Sequence, residues 1–250
     1  MRWAWLEIDV PWVLAGALAV FVGYMTLVLP AYRCWRWPRL SEPELDRLER
    51  VSRWRYAGHL ALGGVLLLAP GVTARNLGLA LPTGRGWVAA TGITMGAIAV
   101  AVLLALKHSV AHSEHGCHDG RDAAARRRAV RDTVVGCLGD TVVFIVLPPA
   151  VGYGALGLPL AHVSAFTVLG YGFVHLSHRL WSMLGWTAVT AVAVAAYLMT
   201  ASALLPAILL TAVAVSRIYA VPMLPDDPPV RPPPRPPLVL VDPPGPTSAS

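Results

Sequence analysis

The chain has 250 residues, 56% hydrophobic and only 14% charged, with a mean hydropathy of +0.58. A water-soluble domain carries about 25% charged residues, and several apolar runs here reach roughly the 18 residues that let a helix cross a bilayer. Composition therefore excludes an ordinary soluble globule and predicts an all-α, polytopic integral membrane bundle of about seven transmembrane helices in one domain.

The net charge of +6 is almost entirely arginine, Lys107 being the sole lysine, and it is concentrated between the apolar runs. No surface alternates basic and aromatic residues, so nucleic acid is excluded as a partner and lipid headgroups are the expected counter-charge. The cysteines, Cys34, Cys117 and Cys137, are odd in number and scattered, which rules out a disulfide framework.

In chain order, residues 1–30 form an N-terminal anchor whose span covers 11–30; no small-residue cleavage site follows it, unlike a signal peptide. Residues 31–55 form a basic cytoplasmic loop with seven arginines and four acids. Within it, SEPELDRLER has Ser41 as an N-cap with Pro43 and Glu44 in the first turn, predicting a short amphipathic helix at the membrane surface. Spans two and three, 56–80 and 87–106, follow, the first interrupted at Pro70-Gly71. A His/Arg-rich cytoplasmic loop completes the section 56–132.

Span four covers 133–154, with Pro148-Pro149 expected to break it late. Spans five, six and seven cover 161–178, 182–200 and 204–222. The tail 223–250 is dense in proline, which predicts an extended, disordered segment. The two arginine-rich loops share a side, so the positive-inside rule places the N-terminus outside and the tail in the cytoplasm of a multi-pass cell-membrane protein.

Three groups carry candidate chemistry. Asp140 lies in VVGCLGDTVVFIVL, about 10 Å into its span. A carboxylate at that depth costs a few kcal/mol and points to function. His175, in GYGFVHLSHRLW, lies about one turn from the cytoplasmic end of span five, at a depth where it can meet Asp140; a carboxylate beside an imidazole can activate water. His178 lies one turn further on and reaches toward the headgroups, and His59 and His162 are read as structural. The third group, KHSVAHSEHGCHDG, sets His108, His112 and His115 on one helical face, with Cys117 and His118 nearby. Imidazole and thiolate suit zinc or copper, so a divalent-metal transporter is the rival reading. Gly116 and Gly120 interrupt the helix, and a solvated histidine-rich loop is the alternative.

On these residues the chain resembles the CAAX-processing and bacteriocin-processing (CPBP) family of intramembrane proteases, over about residues 30–222. The resemblance makes 133–222 the CPBP-like core. The family's Glu-Glu-x-x-x-Arg motif aligns with GDTVVF, placing Gly139 and Asp140 at the glutamates and Phe144 at the arginine. Its Phe-x-x-x-His motif aligns with Tyr171 and His175. Its last motif, His-x-x-x-Asn/Asp, falls in ASALLPAILLTAVAV, where Thr211 stands for the histidine and Val215 for Asn or Asp. The resemblance implies an intramembrane endopeptidase acting on a membrane peptide or prenylated protein. It nominates Asp140, His175 and Tyr171 as vestigial catalytic residues. With the first glutamate, the arginine and one histidine replaced, the expectation is a degenerate member with weak or no peptidase activity, or a non-catalytic membrane scaffold, needing no cofactor.

Overall fold

The computed structural model describes residues 4–8, 10–36, 42–81, 86–111, 123–175 and 180–220. The described residues are helical apart from turns and contain no strand. After a short 3₁₀ turn (Ala4–Leu6), helix α1 (Trp12–Gly23) starts behind the extended Pro11, whose carbonyl accepts from the Leu14 and Ala15 amides. It runs through a π-helical stretch (Tyr24–Val28) into α2 (Leu29–Arg36). The remaining helices are α3 (Glu42–Leu66), α4 (Gly86–Ala111), α5 (Ala123–Asp140), α6 (Leu160–Val174), α7 (Leu180–Thr200) and α8 (Leu204–Ala220).

Prolines bend these rods without ending them. Proline has no N–H, and its ring crowds the carbonyl four residues back; a wider π turn accommodates both defects. Accordingly, the π stretch Tyr24–Val28 precedes Pro30. α5 continues as π helix through Thr141–Val146 and Pro149–Ala155, so Pro148-Pro149 does not break the span as the sequence suggested. The other departure is α3. The stretch expected to form a separate surface helix and the following apolar stretch make one continuous helix from Glu42, which ends at Leu66, before Pro70.

Among the described residues four helical stretches are long and apolar enough to cross a membrane: Trp12–Tyr32, Gly86–Ala105, Arg126–Ala155 and Met183–Thr200. Leu160–Val174 and Leu204–Tyr219 are shorter apolar helices. The α5 rod is the centre of the bundle: 72% of its most apolar stretch is buried, against 11% for α4. It packs on α3 and α8, while α4 lies outside against α7 and α8. Val88, Ile93, Val100 and Leu103 on α4 are exposed, a surface suited to lipid rather than water.

The loop after α3 is tied down by Asn76. Its Oδ1 accepts from the Thr73 amide at 2.8 Å and from the Thr73 hydroxyl, and its Nδ2 donates to the carbonyls of Trp5 (2.8 Å) and Glu7 (3.1 Å). The Tyr197 hydroxyl donates to the Asn76 carbonyl at 3.4 Å. Two residues on, Gly78 takes φ +65°, where a β-carbon would sit 2.6 Å from the Tyr197 ring and 2.9 Å from the Ala203 nitrogen. Only glycine fits that turn, which lets the Gly78 carbonyl accept from Ala203 N at 2.7 Å.

Candidate functional site

Asp140 ends the regular part of α5 inside the bundle, 9% exposed. Its Oδ2 accepts from the Tyr171 hydroxyl of α6 at 3.2 Å. Its Oδ1 faces His59 Nδ1 of α3 at 3.7 Å, an ion-pair separation too long for a hydrogen bond. His59 is 2% and Tyr171 1% exposed. Asp140 Oδ1 and both ring nitrogens of His59 are buried without a hydrogen-bond partner. Buried polar atoms are nearly always satisfied, so three such atoms in one place single it out.

Aromatic rings wall this cluster. Phe21, Tyr56 and Phe144 stand edge-on to the His59 imidazole at 6.2–6.3 Å between ring centres. Phe144 also packs edge-on against Tyr171 at 5.1 Å. On its other contacts Tyr171 meets His175 at 5.0 Å and Trp186 of α7 at 5.8 Å. His175, just past the end of α6, stacks flat on Trp186 at 4.5 Å, and the Arg217 guanidinium lies 5.5 Å from the Trp186 ring centre. Asp140 and His175 are thus both neighbours of Tyr171, and the imidazole beside the carboxylate is that of His59.

Sequence reasoning missed His59. It sits in the apolar stretch YAGHLALGG of α3, and the rule that flags an ionisable side chain among apolar residues applies to it as it does to Asp140. The mate of such a residue is set by which helices pack together, which a single span does not announce.

Gly139 faces α3. A β-carbon there would lie 3.1 Å from the Tyr56 carbonyl oxygen and 3.1 Å from His59 Cβ. Gly136 meets the Tyr56 ring at 3.2 Å, and Gly63 meets Val142 at 3.1 Å. These small residues bring α3 and α5 close, as in other packed membrane helices, and it is this approach that sets His59 beside Asp140. One turn before Asp140, the Cys137 side chain lies beside Thr211 of α8. Phe144 is 2% exposed and brings no charge.

Among the metal-site candidates, His112, His115 and His118 lie outside the described residues, as do Cys117 and His178. His108 falls in α4 with its side chain outside the described set. Among the described residues no three His, Cys, Asp or Glu side chains gather to hold a metal. His162 is exposed at the start of α6.

No protein family, curated protein or solved structure that the chain was compared with matches it.

Proposed function

We propose that this is a membrane protein built on the plan of the CPBP intramembrane proteases, keeping their interior polar cluster while having weak or no peptidase activity. One observation carries the reading. The three separate stretches that resemble the family's motifs lie near one point: Asp140 on α5 accepts from Tyr171 on α6, and Cys137, one turn away, lies beside Thr211 on α8. Chance likeness among apolar helices gives no reason for all three to converge.

The same surroundings argue against efficient hydrolysis. A protease of this type needs a carboxylate to activate water and donors to stabilise the oxyanion. Gly139 has no side chain, and a β-carbon there would press on His59 Cβ and the Tyr56 carbonyl at 3.1 Å. Asp140 is taken up by Tyr171 and His59, and Phe144 and Thr211 replace groups that could orient the carbonyl. The cluster would hold a membrane peptide or prenylated protein without cutting it. The arginine-rich segments 31–55 and 107–132 place the α2–α3 and α4–α5 connections in the cytoplasm, with the N-terminus outside and the proline-rich tail inside.

The test is cleavage of a prenylated peptide in liposomes carrying the full chain. The expected result is background turnover, unchanged in Asp140→Ala. Robust cleavage lost in that variant would overturn the proposal.

A further inference from the structure

Between α1 and the second half of α3 runs a groove of about 490 Å³ that borders the polar cluster at His59. Its α1 side is apolar: Ala17, Leu18, Phe21 and, at the π turn, Met25. Its α3 side starts at Arg55 and runs past Gly58 and His59 to Leu62. Arg55 is the one charged residue on these walls.

Arg55 is incompletely matched by the protein. Its Nε is buried without a hydrogen-bond partner, and its guanidinium lies 4.8 Å from the Tyr56 ring centre. Among the described residues no carboxylate pairs with it. A guanidinium at the head of an apolar groove is costly until an anion meets it, and its planar fork suits the oxygens of a phosphate. From Arg55 to Leu62 the groove follows two turns of helix, about 10 Å. Arg55 also closes the arginine-rich segment 31–55, and basic pockets between helices on such a face are where anionic lipid headgroups bind.

We propose that this groove binds an anionic phospholipid, with the phosphate on Arg55 and one acyl chain lying along Phe21, Leu18 and Leu62. The site is independent of whether the chain cleaves peptides. His59 forms part of the wall and stands 3.7 Å from Asp140, so the bound chain covers the side of the polar cluster that faces α1.

The test uses the purified, delipidated full chain in detergent, titrated with phosphatidylglycerol or phosphatidylcholine and read by native mass spectrometry. Wild type should retain phosphatidylglycerol roughly tenfold better: both lipids carry the phosphate, but the quaternary ammonium of phosphatidylcholine neutralises it and is repelled by Arg55. Arg55→Gln should bring the two lipids to parity. Gly58→Leu should weaken both, since a β-carbon at Gly58 meets nothing within 4 Å and the larger side chain projects into open groove without straining the helix. Equal retention by wild type, a preference that survives Arg55→Gln, or undiminished binding to Gly58→Leu would each overturn the site. Displacement of phosphatidylglycerol by equimolar prenylated peptide with a free carboxylate would assign the groove to a peptide instead, and would equally overturn it.

Discussion

Asn76 and Asp140 are buried to the same degree, 8% and 9% exposed, yet their surroundings differ in kind. Asn76 spends both amide hydrogens on the carbonyls of Trp5 and Glu7 and its oxygen on Thr73, and Tyr197 occupies its backbone carbonyl. Asp140 has one oxygen on a long Tyr171 bond and the other beside an imidazole whose nitrogens are both unmatched. The first arrangement is a fastening, tying the N-terminal turn, the loop after α3 and the end of α7 together. The second gains little stability from its polar atoms, and an interior carboxylate so poorly matched marks a candidate site rather than a fastening.

The sharpest way to break that contrast is to make both positions apolar. Asn76→Leu strands two carbonyls and the Thr73 groups and should lower unfolding stability in detergent by about 3 kcal/mol. Asp140→Leu removes a poorly satisfied carboxylate and should be neutral or stabilising. Equal losses at the two sites would erase the distinction.

A smaller effect is expected from placing a glutamate at position 139. Gly139→Glu forces a side chain against the Tyr56 carbonyl and His59; a loss of about 2 kcal/mol from overpacking should appear in the same unfolding measurement, with no gain of peptide cleavage. Stable, cleaving Gly139→Glu would show that position 139 opens on the cleft.

Much of this molecule is legible in its sequence, for reasons that also mark the limit. Long apolar runs announce helices because lipid forces backbone groups to pair within a segment; α4 and α7 fall where the runs do. Asp140 stands out by the same logic of cost. The rest depends on rotation and winding. Adjacent helical residues point about 100° apart, so alignment to a paired motif could not reveal that Gly139 packs on the α3 backbone while Asp140 reaches between Tyr171 of α6 and His59 of α3. Pro148-Pro149 reads as a break because the rule for proline assumes α-helical winding, and the π turns around it are set by the packed core. His59 went unclaimed because the α3–α5 approach that delivers it rests on Gly63, Gly136 and Gly139, residues with no chemistry of their own.

The central claim is that His59 is the imidazole partner of the buried carboxylate. A double-mutant cycle on unfolding stability tests it directly, with His59→Phe and Asp140→Leu measured singly and together beside the parallel cycle with His175→Phe. The account predicts coupling of about 1 kcal/mol for His59 with Asp140, and less for His175, whose ring packs against Tyr171 and Trp186. Additivity within about 0.3 kcal/mol for the His59 pair, or stronger coupling to His175, would contradict it.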